Sequence, residues 1–248
     1  MNALHDWIVP EWPAPARVKS LITTRNGGFS AGPYSSCNLG CNNGDEAHAV
    51  SANRDQLSAL LPQAPKWLRQ VHGTRAVSAD GRSDIPEADA AIARKAGTVC
   101  AVTVADCLPL LLCDAAGSTV AVAHCGWRGL SAGVIEATVR AMDVAPARLI
   151  AYLGPAIGPD AFEVGSDVHG VFAAADPDAA LAFKPGRAGK WLADLYMLAR
   201  QRLARSGVRQ VFGGGLCTYS DAARFFSFRR DKVTGRMAAL IWLAPDIS

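Results

Sequence analysis

The sequence predicts a mixed α+β fold in one layered domain. Strand-like runs outnumber helical ones, the two do not alternate as a doubly wound sheet requires, and no Gly-, Ser- or Pro-rich linker divides the chain. With 248 residues and 50% hydrophobic content, the chain can bury a sizeable core.

The elements follow in order. "RVKSLITTRNGGFS" reads as a strand running into a Gly-Gly turn, and "DEAHAVSANRDQLSALLP" as a helix capped by Asp45 and stopped by Pro62. "KWLRQVHG" is a short strand ending at His72. "GTVCAVTVADCLPLLLCD" and "STVAVAHCGWRG" are two β-rich runs joined by the turn "AAGS". "LSAGVIEATVRAMD" has helical spacing, with Ser131 available as a cap and Val134, Ala137, Val139 and Met142 on one side. "RLIAYLGPAIGP" returns to strand, and "FEVGSDVHGVFAAA" starts extended and turns helical at Ser166. "KWLADLYMLARQRLARSG" reads as one helix with Leu192, Leu195, Leu198, Ala199 and Leu203 on a stripe, ending at Gly207. "VRQVFGGGLCTYS" and "FFSFRRDKVTGRMAALIWL" give a strand and then a hairpin turning at "DKVTG".

Composition narrows the function. The formal charge is +3, and the 25 Lys and Arg residues are scattered, so nucleic acid is not an expected partner. No apolar run reaches the roughly 20 residues that a bilayer helix needs, and the first residues lack an export pattern, so a soluble protein away from membranes is expected. Seven cysteines with no CxxC pair fit free thiols or ligands in a reducing cytoplasm. "FGGGL" and "GPAIGP" match neither nucleotide-binding glycine pattern and read as turns.

Three positions carry chemistry. His72 in "RQVHG", Cys107 in "VADC" and His124 in "VAVAHCGW" each end a strand-like run, and neighbouring strands running in the same sense would bring such ends to one edge of a sheet. Two imidazoles and a thiolate suit zinc or copper and leave a fourth position open, as catalytic sites do. The same set without metal could activate Cys107 as a nucleophile, with Asp106 or the second His orienting the base. A core cysteine and two structural histidines are the bland alternative.

The motifs "TTRNGG", "PYSSCNLG", "QVHG", "ADCLPLLL", "VAVAHCGWRG", "GPAIGP", "FEVG" and "FFSFRRDKVTGR" occur in this order over nearly the whole chain. In this the sequence resembles the family called laccase-domain, polyphenol oxidase, YfiH-like or peptidoglycan editing factor. The resemblance implies a single domain over residues 1–248 with α/β/β/α layers, similar to the catalytic domain of a Cys-His deamidating toxin. It also implies a metal site, zinc with copper as the alternative, held by His72, Cys107 and His124.

Activities ascribed to this family are phosphorolysis of adenosine, inosine and methylthioadenosine, deamination of adenosine, editing of peptidoglycan precursors at a muramyl-amino acid amide, and copper-dependent phenol oxidation. The resemblance thus implies a small-molecule substrate, a purine nucleoside with phosphate; a monomer is expected. Phenol oxidation by several coppers needs more ligands than five histidines readily supply. Phosphorolysis needs a cradle for phosphate, for which Arg54, Arg229 and Arg230 are candidates, with Asn38 and Gln70 as polar contacts to base or sugar. Asp106 or a metal-bound group is the nearest candidate proton donor for deamination. Gly126 and Gly129 should permit a sharp turn after His124, Trp127 should pack beneath that ligand, and Arg128 should pair with Asp106 or another acid. Cys125 and Phe228 stand where the family more commonly has Ala and His or Tyr.

Overall fold

A six-stranded and a three-stranded sheet stack face to face, with helices on both outer sides. The structure, a computed structural model, describes residues 6–245. In chain order the elements are β1 (Val18–Ile22), α1 (Ala47–Ser58), β2 (Ala76–Ser78), β3 (Ala90–Ala93), β4 (Cys100–Val104), β5 (Leu108–Asp114), β6 (Val120–Cys125), α2 (Trp127–Ala132) and α3 (Val134–Met142). They continue with β7 (Leu149–Leu153), β8 (Glu163–Gly165), α4 (Ser166–Ala175), β9 (Phe183–Pro185), β10 (Lys190–Ala193), α5 (Leu195–Arg205), β11 (Gln210–Gly213), α6 (Phe228–Asp231) and β12 (Met237–Leu243). The strand orders are β11-β7-β5-β6-β3-β2, β1-β12-β4 and, in a small third sheet, β8-β10-β9.

Alternation along β5 and β6 defines the layers. Leu108, Leu110, Leu112, Ala121, Ala123 and Cys125 join a core with residues of α2, α3, α4 and α5, whereas Leu111, Cys113, Val120 and Val122 face Val102, Ala239 and Ile241 of the three-stranded sheet. The opposite face of that sheet, including Ala101 and Leu240, meets Leu57 of α1. The expected α/β/β/α order is therefore present. Because β5 is buried on both faces, its sequence is continuously apolar rather than alternating. Truncating one of its central leucines to Ala should cost about 2–5 kcal/mol.

Several boundaries differ from expectation, each for a local reason. The run 100–114 is two strands in two sheets: Asp106, at φ 87°, turns the chain from the β4 layer to the β5 layer. In α1 the capping position is Glu46, and the Asp45 carboxylate accepts from the Glu46 N–H instead. Gly133, at φ 102°, splits the helix expected after Ser131 into α2 and α3. The Ser131 hydroxyl donates to the Arg128 carbonyl and caps neither.

Residues 190–193 form β10, paired on both sides, and Asp194 starts α5 by accepting from the Met197 N–H. Ser227 likewise caps α6 by accepting from the Arg230 N–H, so this segment is not a strand, and β12 pairs with β1 and β4 rather than closing a hairpin. Among the described residues no helix is long and apolar enough to cross a membrane.

Candidate functional site

The three candidate ligands converge, though not by parallel strand ends. Strands β5 and β6 are antiparallel, with Leu108 opposite Cys125 and Pro109 opposite His124, so the start of one strand meets the end of the other. Cys107 is the residue just before β5, and His124 is the penultimate residue of β6. His72 lies in a loop, not a strand. Gln70 fastens that loop to β4: its amide donates to the Thr103 carbonyl at 2.8 Å, and its Oε1 accepts from the Thr103 N–H at 2.8 Å and the hydroxyl at 2.9 Å.

Asp89 organises the site from beneath. It is fully buried just before β3, and its carboxylate accepts from the backbone N–H groups of Val71, His72 and Gly73 at 3.2, 2.9 and 2.6 Å. These bonds hold His72 at φ 59°, a left-handed conformation that costs a residue with a Cβ about 1–3 kcal/mol. The same carboxylate lies 2.9 Å from His124 Nδ1, which leaves Nε2 of that ring for the site. The His124 N–H also donates to the Asp89 carbonyl at 2.7 Å.

The ligand atoms of His72, Cys107 and His124 lie within 4.8 Å of one another, with Cys107 Sγ 3.8 Å from His72 Nε2. The two rings meet edge to face, their centroids 4.8 Å apart. His124 is buried, Cys107 half-buried and His72 exposed, so the group opens to solvent on the His72 side. Burial opposes ionisation of Cys107, but the charge of His124 and hydrogen bonds from both imidazoles outweigh it and lower the thiol. Burial likewise opposes charge on His124, and Cys107 and Asp89 together raise it. This donor set therefore supports a thiolate beside two imidazoles at one open corner.

Glycine is required at 126 for space rather than for a turn. A Cβ there would come 2.8 Å from His72 Cδ2 and 2.9 Å from Cys107 Sγ, and one at Gly129 would come 2.9 Å from the Gly73 carbonyl oxygen. Trp127 packs against the helix-side core, the opposite face from His124, so it is Asp89 that fixes His124. Arg128 stacks on Trp127 at 4.5 Å and does not pair with Asp106. Asp106 instead accepts from the Thr218 hydroxyl and the Arg229 N–H, each at 2.6 Å. Cys125 faces the helix-side core, away from the ligands.

The residues suggested for substrate contacts are committed inside the protein. Asn38 is fully buried; its amide donates to Gly40, Asn43 and Asp45, and its oxygen accepts from Gly40, Asn43 and Arg236. Arg54 donates twice to the Leu39 carbonyl and lies over Trp67 at 4.1 Å. Arg230 donates to the carbonyls of Thr218, Tyr219 and Phe225 and to both oxygens of Asp231. Arg229 donates to the Glu163 carbonyl. Sequence reasoning missed Asp89, a single carboxylate opening the Ala-rich run "DAAIA".

Residues 19–244 match the family model described as multi-copper polyphenol oxidoreductase laccase. The chain is 51% identical over 244 residues to a protein of Pseudomonas aeruginosa named purine nucleoside phosphorylase, covering 98% of this chain and 99% of that one. It is 52% identical over 239 residues to the Escherichia coli purine nucleoside phosphorylase YfiH, covering 95% and 98%. A crystal structure of a Neisseria meningitidis protein superposes with a TM-score of 0.94 at 51% identity, over 97% of this chain and 100% of that one. YlmD from Geobacillus stearothermophilus does so with a TM-score of 0.91 at 29% identity, over 99% and 98%.

Proposed function

The chain belongs to the multi-copper polyphenol oxidoreductase laccase family, and from that premise we propose that it is a zinc-dependent purine nucleoside enzyme, monomeric and cytoplasmic. It cleaves adenosine, inosine and methylthioadenosine with inorganic phosphate and also deaminates adenosine, using His72, Cys107 and His124. Two relatives of about half-identical sequence carry the name purine nucleoside phosphorylase. The observation that carries the site is the convergence of the three ligand atoms within 4.8 Å over the buried Asp89.

The donor set fits a borderline-soft ion in tetrahedral geometry with one position open. Zinc bound there would supply Lewis acidity and water activation. The chain's own residues do the rest: Asp89 sets the His124 ring, Gln70 ties the His72 loop to β4, and Gly126 leaves room for the ligands. In phosphorolysis a phosphate oxygen forms a bond to C1′ as the C1′–N9 bond breaks, the departing base takes up a proton, and the sugar 1-phosphate remains, carrying its 5-methylthio group where methylthioadenosine is the substrate. In deamination water replaces the amine at C6 and ammonia departs. Phenol oxidation by several coppers has too few ligands here: five histidines in the chain, and one His/Cys cluster among the described residues.

A second reading draws on the lowered thiol of Cys107 beside two imidazoles, which suits attack on a muramyl-amino acid amide carbonyl. One experiment separates the two. Metal-defined protein is incubated with adenosine and inosine, with and without phosphate, beside Cys107→Ala. Phosphate-dependent release of adenine and hypoxanthine, lost in the variant, is the expected result. Silence on nucleosides from metal-loaded protein would reject nucleoside chemistry in favour of the amide substrate.

A further inference from the structure

Phosphorolysis needs a cation with unused donors next to the reacting centre, and neither Arg54 nor Arg230 offers a free Nε–Nη2 edge. Arg54 and Arg230 spend their Nε and Nη2 donors on backbone carbonyls and, for Arg230, a carboxylate, whereas Arg229 donates only from Nη1, to the Glu163 carbonyl, and lies over Phe162 at 5.2 Å. Arg236 differs from Arg54 and Arg230.

Its place follows from strand register. Met237 of β12 pairs with Val104 of β4, so residue 236 falls opposite residue 105, beside Asp106 and Cys107. Gln70 and the His72 loop hold Thr103 of the same strand. The end of β4 is thus bordered by the ligand-bearing loop, by Cys107 and by Arg236. Burial lowers the Arg236 guanidinium, and the charges of Cys107, Asp106 and Tyr34 partly offset it.

The side chain is held but not used up. The Arg236 N–H donates to Asn38 Oδ1 at 2.8 Å, and Nη1 donates to the carbonyls of Thr234 and Gly235, each at 2.9 Å. Its Nε–H and both Nη2 hydrogens have no hydrogen-bond partner among the described residues, and together they form the edge that an oxyanion accepts bidentately. A Cβ at Gly40 would come 2.7 Å from Arg236 Cγ, so glycine there lets the side chain pass. Two residues earlier, the buried Thr234 hydroxyl is a further polar group without a partner among the described residues. The exposed ring of Phe228 lies 5.8 Å from the guanidinium carbon.

We infer that Arg236 binds the phosphate co-substrate through its Nε–Nη2 edge, and that Asn38 is a positioning residue for it, not a contact to base or sugar. This inference rests on the phosphorolysis reading. The site would take inorganic phosphate as a tetrahedral dianion, and its attacking oxygen would approach the ribose from the β12 side of the centre.

The test uses metal-loaded wild type, Arg236→Gln and Arg236→Lys, each checked for zinc content and thermal unfolding. Phosphate is titrated at saturating inosine, and inorganic phosphate binding is measured separately by calorimetry. Loss of a bidentate charged contact predicts that KM for phosphate rises about 10- to 100-fold in Arg236→Gln and less in Arg236→Lys, with KM for inosine changed less than about 3-fold. Equal phosphate KM in wild type and Arg236→Gln, or a rise in inosine KM as large as that for phosphate, overturns the inference. If Arg236→Gln does not fold, Arg236→Lys decides by the same ratio.

Wild type that releases no base yet binds phosphate in an Arg236-dependent manner removes the phosphorolysis reading and leaves the anion site standing. Wild type with neither activity nor Arg236-dependent binding overturns both. For Asn38, Asn38→Asp should raise phosphate KM without altering inosine KM; a selective rise in inosine KM overturns that assignment.

Discussion

The two ends of the β5–β6 pair each carry a buried carboxylate that collects backbone N–H groups, yet only one of them builds a site. At the closed end, Asp114 accepts from the N–H groups of Ala116, Ser118 and Thr119 and from the Ser118 hydroxyl, and all of these bonds lie within the turn between the strands. At the open end, Asp89 accepts from Val71, His72 and Gly73 and also holds His124, joining three separate segments. Identical chemistry gives local stability where its partners are near in sequence. It gives preorganisation where they are far apart.

The largest effect should come from Asp89→Ala. It strands three buried N–H groups and the Nδ1 side of a buried imidazole, which predicts a loss of about 3–5 kcal/mol in stability and about 100-fold in zinc affinity. Denaturant unfolding and a chelator competition measure the two. Unchanged zinc affinity in folded protein would show that Asp89 is no more than a structural carboxylate.

Asp114→Ala should cost about 2–3 kcal/mol and leave zinc affinity unaltered. Burial alone would raise the Asp114 carboxyl, but its hydrogen bonds to Thr119, Ser118 and Ala116 hold it below the ordinary value. A carboxyl lowered in the folded state stabilises fully above its unfolded pKa, near 3.9, and this contribution is lost as pH falls through the lower folded value. Acid unfolding of wild type should therefore lose its Asp114 component below about pH 4, and Asp114→Asn should show a shallower acid limb. A variant with the wild-type acid limb would remove Asp114 from that account.

How far the sequence revealed the open end can be read from its residues. His72, Cys107 and His124 stood out because reactive side chains interrupt or end apolar runs, and ordered motifs carried the same three. The reason they meet did not stand out, since antiparallel pairing of β5 with β6 depends on where the chain changes sheets, at Asp106. Asp89 escaped notice because a lone carboxylate among alanines has no periodicity, and its partners lie 16 to 35 residues away. Arg54 stands out by residue type and Arg230 by its place in the motif "RRD", and neither signal reveals that backbone carbonyls already occupy them. Leu192 fell on an apparent helical stripe, but pairing of β10 with two strands outweighed local propensity.

Glycine sharpens the comparison further. Gly126 has φ −65°, which any residue can adopt, so Gly126→Ala tests space alone. The new methyl would press on His72 Cδ2 and Cys107 Sγ, and displacing the ligands by a few tenths of an ångström should weaken zinc about 10-fold with little loss of stability. Wild-type affinity in this variant would mean that the His72 loop yields freely, against the rigidity ascribed to Asp89.

Gly117, in the turn at the other end, should give the smallest change and one confined to stability. Its φ of +66° favours glycine, and a Cβ would also meet Pro15 Cβ and Arg17 Cγ at 3.0 Å. Gly117→Ala should therefore cost about 1–2 kcal/mol, a fall of roughly 2–8 °C in Tm at 2–4 °C per kcal/mol for a chain of this size. Asn tolerates this backbone region better, so Gly117→Asn should fall less unless its bulk against Pro15 and Arg17 dominates. Zinc affinity should match wild type in both variants, because the Asp114 turn and the Asp89 network share no hydrogen bond. A parallel loss of zinc affinity would mean that β5 and β6 transmit strain along their length, and the two carboxylates would then be parts of one device.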